Sequence, residues 1–178
     1  MISMAFTVSQ LYARDVFLLE MLSAEKRERM PHLKAVVFVR PTPETLSLLV
    51  DELRNPKYSE YHIVFSNSVS DAQLHQLAEN DDQEAVQSVL EMFLDFFSIN
   101  RNLFSLNLPQ CSVLHDQRRW DQKLFDRTVD GVLASLLALK KRPIIRFAGK
   151  SGVARKVAEE VYVCVYIFED VHVCIDVN

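Results

Sequence analysis

Between Leu33 and Val39 the chain runs almost without a polar break, Leu-Lys-Ala-Val-Val-Phe-Val, and then stops at Arg40-Pro41. A short run that is β-branched or apolar at nearly every position reads as a strand covered on both faces, because a strand covered on one face alternates. Thr42 is suited to cap a helix, and Pro43 to its first position, where the missing amide hydrogen costs nothing. Leu46, Leu49, Val50 and Leu53 then recur at helical spacing, and Asn55-Pro56 closes the helix. Tyr61 to Ser66 reads as a second strand. A helix between two strands is the connection a parallel pair requires, since antiparallel neighbours can be joined by a tight turn. This unit predicts an α/β fold with a doubly wound parallel sheet, in which residues 35–39 and 63–66 are neighbours.

The same cycle is readable on either side. Ser3 to Thr7 reads as a strand, and from Ser9 the pattern turns helical, with Leu11, Phe17, Leu18, Met21 and Leu22 roughly on one face. Ser23 to Arg29 is a charged end and loop. Ser70 caps a helix carrying Leu74, Leu77 and Ala78. A further helix is predicted from Gln83 to Phe93, with Ala85, Val86, Val89, Leu90 and Phe93 on its apolar side. Phe96 to Ile99 and Leu103 to Leu106 read as short strands. The periodicity lapses from Pro109 to Trp120, which marks a connection. A helix from Leu124 to Lys140 follows, with a basic last turn and Pro143 beyond it. Ile144 to Phe147 is a strand, Ser151 caps a helix through Val161, and Val171, Val173, Ile175 and Val177 alternate as in a strand. The predicted organisation is a first domain over 1–108, a connection over 109–123, the start of a second α/β domain over 124–161 and a β-rich tail over 162–178.

Several function classes are disfavoured by what these residues are. The formal net charge is −4, whereas binding to a polyanion calls for a basic excess, so no nucleic-acid partner is expected. Cys111, Cys164 and Cys174 are too few, and odd in number, for a disulfide framework, and a reduced cytosolic setting is expected. The start lacks a signal-peptide pattern. Val161 to Phe168, the longest apolar run, is too short to span a bilayer, so no transmembrane segment is expected. Gly131, Gly149 and Gly152 are the only glycines and build no dinucleotide-binding turn. Gly149-Lys150-Ser151 has the end of a phosphate loop, but the glycine required five residues earlier is replaced by Ile144. His32, His62, His75, His115 and His172 show no helical metal spacing, and no nucleophile elbow is present. Asp81 and Asp82 read as helix-start carboxylates. No catalytic residue, metal or cofactor is assigned.

Collinear segments carry a resemblance. They are His32 to Thr42, Glu52-Leu53-Arg54-Asn55-Pro56-Lys57-Tyr58, Ile63 to Asn67, Asp82 to Val86, Leu103-Phe104-Ser105-Leu106-Asn107 and Leu136 to Phe147. Together they resemble the SM (Sec/Munc) family of SNARE regulators, from about Ser3 to about Val161. The resemblance implies a binding protein rather than an enzyme. It implies a regulator of vesicle docking and fusion that clasps a syntaxin-type SNARE and its N-terminal peptide. It further implies a cytoplasmic protein, peripheral at Golgi and endosome membranes through its partners. Relative to the family, the chain is expected to be truncated at both ends and to lack the first strand of the first domain.

Two partner-binding surfaces are implied by the resemblance. A cleft face matches Glu25, Lys26, Arg27, Glu28 and Arg29, whose mixed charges could orient a SNARE helix. A small apolar pocket for the N-terminal peptide matches Val86, Val89, Leu90, Phe93, Leu103 and Phe104. The competing readings are a solvated loop for the first set and a helix face packed on its own sheet for the second. The competing functions are a small doubly wound nucleotide-binding or enzymatic domain, and a truncated SM-like product without independent activity.

The family's sheet has strand order 2-1-3-4-5, so absence of the first strand leaves ladder groups unpaired on its neighbours. Each such group costs about 1–3 kcal/mol if buried without a partner, against a total stability of about 5–15 kcal/mol for a folded domain. The chain is therefore expected to unfold at markedly lower urea than a version extended by the family's first strand and helix. Equal midpoints and slopes for the two would show the gap to be harmless.

Overall fold

A computed structural model describes residues 7–108, 120–140, 143–167 and 174–177. It gathers into two compact units, Met1–Phe93 and Leu94–Asn178.

The first unit opens with helix α1 (Val8–Tyr12), capped by Thr7, whose side chain accepts from the Gln10 amide while the Gln10 side chain accepts from the Thr7 amide. The helix predicted to continue to Leu22 ends early. Asp15 adopts a left-handed conformation, φ 61°. The Asp15 amide bonds to the Tyr12 carbonyl and the Val16 amide to the Leu11 carbonyl, the paired bonds of a Schellman stop, in which an Asp tolerates the left-handed position. Phe17 and Met21 are consequently exposed rather than packed on a helix face. Of the strand predicted over 3–7, only Thr7 lies within the described residues, and it is the cap of α1.

The predicted strand–helix–strand unit is present. Strand β1 (Met30–Val39), helix α2 (Pro43–Arg54) and strand β2 (Tyr58–Phe65) follow one another, and β1 and β2 pair in parallel with Val37 opposite Ile63. Thr42 caps α2 by accepting from the Thr45 amide, with Pro43 just inside. Ser70 caps α3 (Asp71–Ala78) through a reciprocal box with Gln73. The core lies on one face of the sheet, where Ala35, Val37, Val39, Tyr61, Ile63 and Phe65 meet Leu46, Leu49, Val50 and Leu53 of α2. The opposite face presents Lys34 paired with Glu60 at 2.7 Å, then Val36, which is 67% exposed. The run read as covered on both faces is thus covered on one at β1, among the described residues.

The helix predicted over 83–93 is instead strand β3 (Val86–Glu91), parallel to β2 and completing the order β1-β2-β3. A bulge explains the misleading period. Tyr61 faces Val86, but His62 faces Ser88, so Gln87 is an extra residue in the ladder. An extra residue shifts the alternation by one, so Val86 and Val89 share a sheet face at the i, i+3 spacing of a helix. The turn before it holds Glu84 at φ 50°, and the Asp81 carboxylate accepts the Ala85 and Val86 amides at 2.9 Å each. Asp81 closes a strand entry rather than starting a helix.

In the second unit, β4 (Phe97–Asn100) and β5 (Leu103–Ser105) form an antiparallel hairpin. Helix α4 (Gln122–Leu139) is capped by Asp121 and ends on left-handed Lys140. Strand β6 (Ile144–Phe147) precedes helix α5 (Gly152–Ile167), which Ser151 caps through the Ala154 amide. α5 runs beyond the predicted end at Val161. Strand β7 (Cys174–Val177), within the tail predicted to be β-rich, pairs in parallel with β6. The connection predicted over 109–123 falls mostly outside the described residues. Phe125, Val129, Leu133 and Leu137 of α4 and Ala158, Val161 and Val165 of α5 are buried, and the two helices pack together.

The register assigns neighbouring residues of one sheet to opposite fates. Ile63→Ala, at a fully buried site, is expected to lower stability by about 2–5 kcal/mol. Val36→Ala, on the open face, is expected to change it by less than about 0.5 kcal/mol. Urea unfolding of the two variants checks the assignment, and equal losses would refute it.

Candidate functional site

The apolar face of α2 carries one acid. Glu52 stands beside Leu49 and Leu53, and its side chain is only 2% exposed. A buried carboxylate is tolerated only with partners for its charge and lone pairs. Three side chains converge on it. Arg27 Nη2 donates to Oε2 at 2.5 Å, Lys57 Nζ lies 3.6 Å from the same oxygen, and Tyr61 Oη donates to Oε1 at 2.7 Å. Tyr61 Oη also accepts the amides of Lys57 and Tyr58, at 2.8 and 3.2 Å. The Tyr58 and Tyr61 rings meet edge to face, and Tyr58 Oη donates to Glu20 Oε2 at 2.8 Å. The Met30 amide bonds to the Lys57 carbonyl at 2.7 Å. Burial, then the hydrogen bond to Glu20, pushes the Tyr58 phenol up to about 12. Burial, then the bond to Glu52, pushes Tyr61 upward as well.

The charged segment 25–29 lies between these anchors. Glu25, Lys26, Glu28 and Arg29 are exposed. Arg27, grouped with them by sequence, is turned inward and its side chain is 9% exposed. The five predicted cleft residues therefore divide into four on the surface and one in the interior. Sequence reasoning passed over Glu52 and Tyr61. The available signal was an acid, Glu52, next to Leu53 within the apolar stripe of a helix.

Of the predicted apolar set, Val86, Val89 and Leu90 lie on strand β3 rather than on the predicted helix, Phe93 lies beyond the end of that strand, and Leu103 and Phe104 lie on strand β5. On the first unit, Val86 packs against the core, while Val89 and Leu90 of β3 are 38% and 54% exposed and Phe93 is half-buried. On the second unit, Leu103 and Phe104 of β5 are exposed. That unit has its own buried carboxylate. Asp95 lies 3.2 Å from Arg127 Nη1 of α4, and Arg127 Nη2 donates to the Asp95 carbonyl at 3.1 Å. Gly131 of α4 leaves room beside this pair, since a Cβ there would stand 2.6 Å from Leu106 Cδ2 and 2.8 Å from Arg127 Nη1. Among the described residues no group of His, Cys, Asp and Glu has the arrangement of a metal site. No helix among them is long and apolar enough to cross a membrane.

Residues 1–169 match the model of the Sec1 family. The chain is 45% identical over 161 residues to vacuolar protein sorting-associated protein 45 of Schizosaccharomyces pombe, covering 90% of this chain and 28% of that protein. The solved SM protein Vps45 is 46% identical, with a TM-score of 0.86 over 94% of this chain and 32% of that one. A second solved structure, the SM protein Vps45 in complex with the Qa SNARE Tlg2, is 41% identical, with a TM-score of 0.88 over 99% of this chain and 33% of that one. The chain thus spans about a third, or somewhat less, of the length of these relatives.

The phenol network gives a pH dependence of definite sign. Tyr58 and Tyr61 hold their protons in the folded chain where an unfolded chain, with phenols near pH 10, would release them. Their contribution to stability is fully present below about pH 10 and is lost as the pH rises toward the folded value, about 12 for Tyr58. Tyrosinate absorbance is expected to show a late component coinciding with alkaline unfolding. That component should vanish in the Tyr58→Phe, Tyr61→Phe chain, and its persistence there would refute the assignment.

Proposed function

The chain belongs to the Sec1 family, and from that premise we propose that it acts by binding syntaxin-type SNAREs, as part of a regulator of vesicle docking and fusion. The observation that carries this reading is its likeness, across nearly its whole length, to an SM protein solved in complex with a Qa SNARE. It is read as a binding protein, with no bond-making step assigned to it. Traffic among Golgi, endosome and vacuole is the proposed setting, in line with the vacuolar-sorting name of its relatives. A cytoplasmic chain held at those membranes by its partners would suit that role.

Two surfaces are the proposed contacts. Glu25, Lys26, Glu28 and Arg29 project from an irregular loop and offer both signs of charge. Such a rim steers and orients a polar helix, affecting association rate more than final affinity. Val89 and Leu90 on the first unit, and Leu103 and Phe104 on the second, are exposed apolar side chains. Each pair is a candidate anchor site for apolar residues of a short N-terminal peptide, which gains most of its binding energy from one or two buried anchors.

The test is titration calorimetry of the full chain against a panel of recombinant syntaxin-type SNARE cytosolic regions, each with and without its N-terminal peptide. Binding to at least one member is expected, and deleting the peptide should weaken it. Reversing the four loop charges should slow association and flatten its salt dependence. No binding by the folded chain to any member would overturn the reading. So would specific, micromolar-or-tighter binding of ATP or a dinucleotide.

A further inference from the structure

The loop from Ser23 to Arg29 forms no helix or strand, and every residue in it except Ala24 is polar or charged. Its own backbone does little to fix it. One hydrogen bond, from the Ala24 amide to the Met21 carbonyl, closes its start. Its shape rests instead on attachments to the turn and strand that follow α2. Glu20 is held by Tyr58 Oη at 2.8 Å and Met30 by the Lys57 carbonyl at 2.7 Å. Leu22 packs against the core. Between these points only Arg27 reaches inward, to Glu52. Without that ion pair the stretch from Ser23 to Arg29 would be tethered at its ends alone, and its exposed charges would sample many arrangements.

We propose that Arg27 is a positioning residue for partner binding: its buried pair with Glu52 holds the loop in the shape that presents Glu25, Lys26, Glu28 and Arg29 to a SNARE helix. This rests on the SNARE-binding reading given above. The physical effect is preorganisation. A loop already in its bound shape does not lose ordering entropy on association. When only a fraction of molecules holds that shape, apparent affinity falls by the same fraction. Arg27, with its side chain only 9% exposed and its charge paired with Glu52, offers little surface to a partner, so its loss should leave the electrostatic steering nearly unchanged. Arg27 Nε is buried without a hydrogen-bond partner among the described residues. The contribution of Arg27 is therefore its Nη2 bond and its charge, both of which a lysine can approximate.

The experiment compares four variants with the wild-type chain by SNARE affinity, by the salt dependence of association, and by hydrogen exchange of the amides of residues 23–29. Arg27→Gln is expected to weaken binding about tenfold if the competent fraction falls to about a tenth. Its loop amides should exchange faster, while the salt slope stays close to the wild-type value. Arg27→Lys should restore most of the affinity and protection. Arg27→Gln combined with Glu52→Gln removes both charges of the buried pair and leaves Lys57, whose side chain is 26% exposed, with access to water, so it keeps the comparison valid if the single variant unfolds. It should show the same loose loop and weak binding. Reversal of the four exposed charges should change the salt slope with the loop amides still protected. If the folded Arg27→Gln or double variant binds like wild type, the proposal is overturned. It is equally overturned if the salt slope changes markedly with Arg27, because Arg27 would then be a contact. Failure of the wild-type chain to bind any SNARE would instead refute the functional reading on which the proposal rests.

Discussion

The buried carboxylate of Glu52 is the constraint around which the first unit is arranged. It stands on the face of α2 that otherwise seals the sheet, beside Leu49 and Leu53, which are fully buried. An unpaired charge there would cost several kcal/mol, and losing one partner of such a pair costs about 3–5 kcal/mol. The partners come from three places: Arg27 from the loop before β1, Lys57 from the turn after α2, and Tyr61 from within β2. One acid therefore ties a loop, a helix and a strand into a single arrangement. The second unit repeats the device on a smaller scale, with Asp95 held by Arg127, whose guanidinium also donates to a main-chain carbonyl.

The strand–helix–strand centre was legible because every local signal agreed. The apolar run ended at a proline, a threonine and a second proline marked the helix start, and the leucines of α2 kept helical spacing. The two misread segments failed for identifiable reasons. Around Gln87 the bulge gave a strand the apolar spacing of a helix, and only the pairing with β2 distinguishes the two. After Tyr12 the pattern of Phe17, Leu18 and Met21 suggested a longer helix, but the stop is a backbone conformation at Asp15, a residue with several common roles.

The segment 25–29 was legible as a charged loop and not in its internal division. Glu-Lys-Arg-Glu-Arg reads as a uniform charged loop, because composition does not distinguish a side chain that faces water from one that faces a buried acid. The distinction depends on Glu52, twenty-five residues away, and on a phenol in the next strand. The comparisons place the chain in its family, but the inward turn of Arg27 comes from geometry alone. Membership and mechanism draw on different observations here, and the second does not follow from the first.

The bulge at Gln87 also sets which genetic lesions the sheet can absorb. Gln87 is exposed and is the surplus residue in its ladder, so exchanging its side chain for another polar one changes little. Deleting it removes only the surplus: Val86 would stay opposite Tyr61 and Ser88 opposite His62, and Val86 and Val89 would share a face at the i, i+2 spacing of a regular strand, with nothing turned over. What such a deletion takes away is the bend and added twist that a bulge gives its strand. At this one position the sheet therefore has slack in reading length as well as in spelling, whereas elsewhere along a paired strand the loss of a residue reverses the facing of its neighbours.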